Sequence, residues 1–259
     1  MSTPNVNKWR RLEIFSTGRY NSVVKNLIII PTYNECGNIS RLIPQIFSAA
    51  PEAHILVVDD SSPDGTAAAV RELMPLHPHL SLIVRPQKIG LGAAYIDTIV
   101  KVLAEDQANE INSITTMDAD LSHPAAALKV FFEKLENGYD VAIGSRYIPS
   151  GAVHGWELWR KLLSHLGNIY CRLITKMPIK DCTSGFQCVA APLLRKIDFS
   201  KCELSGYAFQ MFLKFALLKL GARVAEVPIV FKNREEGESK ISLAIINEGL
   251  LLPWRLVRK

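Results

Sequence analysis

Ile55-Leu56-Val57-Val58-Asp59-Asp60-Ser61-Ser62-Pro63-Asp64-Gly65-Thr66 passes from a largely β-branched apolar run straight into acids, hydroxyls and turn residues. A buried strand that ends so abruptly in polar groups suits an α/β sheet, where ligands bind beyond the carboxyl ends of the strands. The same transition occurs upstream, where Leu27 to Ile30 gives way to Pro31-Thr32-Tyr33-Asn34-Glu35, and downstream, where Ser113 to Met117 runs into Asp118-Ala119-Asp120. Further apolar runs at Leu80 to Val84, Val141 to Ile143 and Val224 to Val230 alternate with amphipathic stretches. Those stretches, Ile39 to Ala49, Thr66 to Met74, Ala93 to Ala104, Pro124 to Glu136, Trp156 to Thr175 and Tyr207 to Leu220, predict helices, with Pro124 at a first helical position. Strand and helix in alternation predict an α/β fold: a mostly parallel twisted sheet with helices on both faces. Three acidic clusters then meet on one rim.

A chain of 259 residues, 48% hydrophobic and 21% charged, is long enough for one large core. The expected organisation is a loose arm over 1–25, one domain over 26–232, and a polar loop with an amphipathic helix over 233–259. The first 25 residues are basic and polar without an apolar core region, which argues against a secretory signal. The most apolar long stretch, Ile241 to Val257, is interrupted by Asn247, Glu248, Pro253 and Arg255, so membrane contact is expected to be peripheral or through a partner. Five cysteines without a C-x-x-C pair suggest neither a zinc site nor a disulfide framework, and a reducing compartment is the simpler setting. The net charge of +5 favours an anionic partner. Basic residues interleaved with acids give a nucleic-acid role little support.

Asp118 and Asp120 stand two apart where a strand ends, so both carboxylates point to one side and repel unless a cation joins them. Oxygen ligands alone suit Mg²⁺ or Mn²⁺. D-x-D by itself also describes a solvated turn, and the preceding buried strand is what favours the metal. Val57 and Asp59 share one strand face, where an apolar contact and an acceptor could hold a nucleobase edge, with Tyr33 stacking on the base. Asp64-Gly65 and Thr66 read as turn and helix cap. Lys88-Ile89-Gly90-Leu91-Gly92-Ala93-Ala94-Tyr95 resembles a dinucleotide-binding loop but has Tyr95 at the third glycine, which favours a tight turn with close packing. Arg146 follows the fifth run, and Arg160 and Ser164 lie four apart on one helical face, a set able to grip a phosphate. That helix also carries an apolar stripe with basic flanks, a pattern that lies on an anionic bilayer or packs on the core. Asn233 to Lys240 is a polar segment with a central glycine, in which Arg234 and Lys240 could close over a diphosphate.

In order and spacing, PTYNE, VVDDSSPDGT, KIGLGAAY, DADLSHP, GSRY, TSGFQ and GESK resemble the dolichol-phosphate mannose synthases among the family 2 glycosyltransferases, a likeness running from Asn26 to Ile246. The resemblance implies a GT-A fold and inverting transfer of mannose from GDP-mannose to a polyprenyl or dolichyl phosphate. It puts the guanine nucleotide against Pro31, Tyr33, Glu35, Val57 and Asp59, and the diphosphate and metal against Asp118, Ala119 and Asp120. Arg234 and Lys240 match loop residues that hold the donor; Arg146, Arg160 and Ser164 match positions assigned to the acceptor phosphate. It further implies a protein held peripherally at the cytosolic face of a membrane, with a small membrane-anchoring subunit as a possible tether. Where many hydroxyl-directed relatives place a Glu-Asp pair, the chain reads Gly206-Tyr207-Ala208-Phe209-Gln210, which fits an acceptor that arrives already ionised. Two readings stand beside this one: a UDP-sugar-dependent transferase of the same fold, and a nucleotide-binding oxidoreductase built on Gly90 and Gly92.

Overall fold

The computed structural model describes residues 25–105, 110–202, 206–233 and 243–258. Of the expected N-terminal arm, only Lys25 falls among them. The strands are β1 (Asn26–Thr32), β2 (His54–Asp59), β3 (Leu80–Val84), β4 (Ser113–Thr116), β5 (Val141–Ser145), β6 (Ala152–His154), β7 (Gln187–Ala190), β8 (Val224–Pro228) and β9 (Val230–Lys232). The helices are α1 (Cys36–Ala49), α2 (Thr66–Leu73), α3 (Leu91–Ala104), α4 (Ala127–Glu136), α5 (Leu158–Thr175), α6 (Ala191–Leu194), α7 (Gly206–Lys219) and α8 (Leu243–Arg258).

A seven-stranded sheet has the order β3-β2-β1-β4-β7-β5-β8. Its pairs are parallel except around β7, which runs antiparallel to both β4 and β5. β1 and β2 are apolar through their middles, Leu27 to Pro31 and Ile55 to Val58, because helices cover both faces, and strand alternation divides these side chains between two cores. Ile28, Ile30, Ile55 and Val57 pack with Leu42 and Phe131 of α1 and α4. Leu27, Ile29, Leu56 and Val58 face Ile99, Phe209 and Leu252 of α3, α7 and α8.

The mostly parallel α/β expectation holds, with local corrections. The run Val224 to Val230 is two strands. Proline has no N–H for a ladder; the pairing with β5 ends at Ser145↔Pro228, and β9 pairs with β6 in a separate two-stranded sheet. Pro124 is not a first helical position: α4 starts at Ala127, and Pro124 lies in the preceding turn, its carbonyl accepting from Ala127 N–H. Trp156 lies outside α5, because Gly155 has φ +80° and Glu157 is extended, so the helix opens at Leu158. All five cysteines are free thiols.

Candidate active site

The sheet order sets the ends of β2, β1 and β4 side by side, so the acidic segments that follow them form one rim. Each carries a non-glycine residue in the left-handed region: Asn34 (φ 61°), Ser61 (φ 54°) and Leu121 (φ 61°). Each such residue costs on the order of 1–3 kcal/mol, a strain that persists where surrounding bonds over-determine the loop. Those bonds are present. Asn34 N–H donates to Ser62 Oγ, Ser61 Oγ donates to the Arg85 carbonyl, and Ser122 N–H donates to Asp120 Oδ1.

Asp118 and Asp120 lie just beyond β4, which ends at Thr116. Asp118 Oδ1 accepts from the hydroxyl of Tyr95 at 3.2 Å, and its backbone N–H donates to His123 Nδ1 at 3.1 Å. An accepting Nδ1 makes this imidazole the Nε2–H tautomer, and Nε2 stands 4.0 Å from Asp118 Oδ2. His123 is itself fixed by stacking on Phe186. Asp120 is buried, with Oδ1 accepting from both N–H and Oγ of Ser122. Tyr95 is wholly buried; burial first, then the charges of Asp118 and Asp120, pushes its hydroxyl well above the usual tyrosine range, so it stays a neutral donor. Two carboxylates two residues apart beyond a strand end, offering oxygen ligands alone, fit a hard divalent cation held by Asp118 and Asp120. Among the described residues no cluster of three or more acids, histidines or cysteines adds to that pair.

On the nucleotide side, Pro31, Tyr33 and Glu35 keep accessible surface, and Glu35 is anchored by Asn38 Nδ2 at 2.7 Å. Lys88 Nζ lies 3.7 Å from the centroid of the Tyr33 ring, joining the Gly90 loop to the end of β1. Val57 and Asp59 are fully buried, and Asp59 accepts from Thr32 Oγ1, Ser62 N–H and Ser62 Oγ. In this structure Asp59 shapes the loop after β2. Asp64 and Thr66 stitch that loop to the start of α1, through Cys36 N–H to Asp64 and Glu35 N–H to Thr66 Oγ1.

Arg146, directly after β5, turns Nε and Nη2 to Asp181, both at 2.7 Å, and Nη2 also reaches Thr183 at 2.8 Å. Burial opposes ionisation of Asp181, yet the Arg146 charge and hydrogen bonds hold its carboxyl below the usual range. The two arginines share Trp156, with the guanidinium carbons of Arg160 and Arg146 at 4.1 and 5.6 Å from its ring. Ser164 Oγ accepts from Tyr147 OH at 2.7 Å, and the Tyr147 ring lies 5.2 Å from the Arg146 guanidinium. Arg146, Arg160 and Ser164 therefore meet around two aromatic rings. This cluster follows β5, separated from β4 by β7 alone, roughly 10 Å away at ordinary strand spacing. Arg234 and Lys240 lie outside the described residues. Tyr95, His123, Trp156 and Asp181 were not singled out as site residues. Tyr95 had a signal, the failure of the glycine pattern; Asp181 had none.

This arrangement, a Rossmann-like rim with a D-x-D at its centre, is that of a GT-A glycosyltransferase, and residues 27–198 match the Glycosyl transferase family 2 model. The chain belongs to that family. It is 40% identical over 227 residues to the polyprenol monophosphomannose synthase of Mycolicibacterium smegmatis, covering 87% of this chain and 84% of the relative. It is 37% identical over 225 residues to the undecaprenyl-phosphate mannosyltransferase of Micrococcus luteus, covering 87% and 90%. In fold it matches a mannosyltransferase of Pyrobaculum calidifontis solved with GDP-Man and Mn²⁺, at 18% identity and a TM-score of 0.61, over 92% of this chain but 66% of that one. The glucosyl-3-phosphoglycerate synthase of Mycobacterium tuberculosis, solved with Mn²⁺ and UDP, matches at 15% identity and a TM-score of 0.60, over 90% and 77%.

Proposed function

We propose that the protein transfers mannose from GDP-mannose, with inversion, to a polyprenyl or dolichyl-type monophosphate. The observation that carries this reading is the pairing of two opposed sites across β7: rim acids suited to a cation and a diphosphate, and an arginine–aromatic cluster suited to a second anion. The relatives named for transfer to polyprenol and undecaprenyl phosphate support the choice of acceptor.

In the proposed reaction an oxygen of the lipid phosphate forms the new bond to the anomeric carbon from one side. The bond to the diphosphate breaks on the other, and GDP leaves with the electron pair. The nucleophile is already ionised, so no base need take a proton. A divalent cation, Mg²⁺ or Mn²⁺, when held by Asp118 and Asp120 would offset the charge the leaving diphosphate gains. Tyr95, His123 and Ser122 hold those two acids in place. Arg146, set by Asp181, and Arg160, stacked on Trp156, attract and orient the acceptor phosphate with Ser164. Pro31, Tyr33 and Glu35 border the nucleotide, with Val57 and Asp59 as the buried support beneath. Arg234 and Lys240, outside the described residues, are proposed as the cations that hold the diphosphate.

The lipid acceptor needs a surface. No helix among the described residues is long and apolar enough to cross a membrane. α5 and α8 lie side by side, tied by Tyr170 OH to the Leu250 carbonyl and by Trp254 Nε1 to Tyr170, each at 2.9 Å. Their outer face exposes Leu158 (82%), Trp159 (58%) and Leu173 (75%) together with Leu162, Leu251 and Trp254. So many large apolar side chains together mark a contact surface. Lys161, Arg172, Arg255 and Arg258 on the same two helices, with Lys176 capping α5, match an anionic headgroup layer. Arg160 and Ser164 stand on α5 itself, so this face continues into the acceptor cluster. We assign it to the bilayer on the cytosolic side, where nucleotide sugars are supplied, rather than to an anchoring subunit.

Incubating the purified protein with labelled GDP-mannose or UDP-glucose, a polyprenyl phosphate and Mn²⁺ tests the reading. Label should enter the organic phase from GDP-mannose alone; entry from UDP-glucose alone would establish the UDP-sugar alternative.

A further inference from the structure

The segment Asp181-Cys182-Thr183-Ser184-Gly185, which leads into β7, is the piece on which the acceptor cluster is built. Asp181 takes the Arg146 guanidinium, and Thr183 Oγ1 accepts from Arg146 Nη2 at 2.8 Å and from Asn168 Nδ2 at 3.2 Å. Asn168 Oδ1 in turn accepts from Thr183 N–H at 3.2 Å, which ties the segment to α5, the helix that carries Arg160 and Ser164. On the sheet side, Ser184 Oγ donates to the Gly144 carbonyl and Thr116 Oγ1 to the Gly185 carbonyl, each at 2.7 Å.

Lys214 of α7 reaches this segment from the core. It is 1% exposed, and its Nζ donates to the Ser184 carbonyl at 2.6 Å and to the Gln210 carbonyl at 3.3 Å. Neutral carbonyls do not offset the burial of a full charge; among its neighbours Asp181 attracts it most. The sulfurs of Cys182, beside Asp181, and of Cys171, on α5, also favour its charge, and Arg146 opposes it. Asp181 is therefore one anion between two cations. With Lys214 charged, Arg146 keeps positive charge that nothing beneath it cancels; with a neutral residue there, Asp181 would cancel Arg146 outright.

We propose that Lys214 is a positioning residue for the acceptor: it holds the Ser184 carbonyl and shares Asp181, so that Arg146 presents an unbalanced positive charge to the lipid phosphate. This role rests on the proposed function, and Lys214 acts through Arg146 without touching substrate. A pH dependence follows. Burial lowers the Lys214 pKa to about 8, so the ammonium is mostly charged at pH 7 and mostly neutral at pH 9, and the acceptor site loses one positive charge between them.

Wild type, Lys214→Met and Lys214→Gln test the proposal, with the KM for detergent-dispersed polyprenyl phosphate and the affinity for GDP-mannose measured in Mn²⁺ at pH 7 and 9. At pH 7 the methionine variant, of similar volume and neutral, should raise the lipid-phosphate KM about threefold to tenfold, the scale of one unit charge acting within a partly buried site. GDP-mannose affinity should stay within about twofold of wild type. From pH 7 to 9 the KM of wild type should rise by a similar factor more than that of Lys214→Met. Lys214→Gln can keep the bond to Ser184 but not the charge, so it should behave as the methionine variant does and stands in for it if that variant melts early. A neutral variant with the wild-type KM at pH 7, one with the same rise toward pH 9 as wild type, or one that loses GDP-mannose binding in step would overturn the proposal. A wild-type protein that makes no mannolipid would instead sink the proposed function, so the two failures are distinguishable.

Discussion

Arg146 forms a two-pronged pair with Asp181, its Nε and Nη2 each 2.7 Å from a carboxylate oxygen, and both side chains are buried. The buried ammonium of Lys214 lies close enough to attract Asp181 as well, while burial pushes its own pKa down to about 8. Two cations thus share one anion beneath the acceptor cluster. The balance leaves positive charge for a phosphate, and it makes Asp181 the counter-charge on which the local fold depends.

Replacing Asp181 by Asn should therefore cost about 3–5 kcal/mol of stability, because removing one partner of a buried pair strands the other charge. Urea unfolding at pH 7 measures it. A loss under about 1 kcal/mol would mean that Arg146 is not held by this pair.

His54 should make stability acid-sensitive. It is buried and bonded to Ser81 at 2.9 Å, and burial first, then His79, lowers its pKa to about 4 from the ordinary 6.5. The unfolded chain takes up the proton near pH 6.5 and the folded chain only near pH 4. The contribution is thus whole above pH 6.5 and is lost as pH falls toward 4, by about 3 kcal/mol at most. Unfolding free energies at pH 7.5 and 5 should differ less in His54→Gln than in wild type; an equal difference in both would remove His54 as the cause.

Arg160→Ala should raise KM for the lipid phosphate by about tenfold, the scale of one charged contact, and leave GDP-mannose affinity near wild type. Trp156, on which Arg160 stacks at 4.1 Å, should give the same pattern more weakly when changed to Leu. Parallel loss of donor and acceptor binding would contradict the division of the site.

Leu162 and Leu173 face outward on α5, so changing both to Glu should leave the melting temperature close to wild type. Binding to vesicles containing anionic lipid should fall by about tenfold or more, since apolar insertion is lost and like charge is added. Undiminished binding would place the membrane contact elsewhere.

What was legible in the sequence followed from periodicity. The apolar runs of β1 and β2, the short β-branched run of β4 and the acids beyond their ends were readable because strands buried on both faces carry continuous runs that give way to polar residues at the rim. β7 was not: Gln187-Cys188-Val189-Ala190 is short, mixed and antiparallel, and its burial comes from insertion between β4 and β5. The split at Pro228 was available from proline chemistry, but the apolar residues on either side masked it. Within the site, Asp118 and Asp120 were legible by spacing. Tyr95, which holds Asp118, and the Asp181 carboxylate beneath Arg146 act across 23 and 35 residues of sequence, and His123, though only five residues from Asp118, belongs to no periodic pattern.

The central claim is electrostatic: a cation at Asp118 and Asp120 balances the donor, while basic groups after β5 receive an acceptor that is itself an anion. Its most direct test is mannosyl transfer from GDP-mannose to polyprenyl phosphate and to the matching uncharged polyprenol, by wild type and Asp120→Asn, with Mn²⁺ and with excess chelator. Lipid-linked mannose is expected only from the phosphate with metal present, with a rate reduced at least about a hundredfold in Asp120→Asn. Equal turnover in chelator, or a preference for the alcohol, would contradict it.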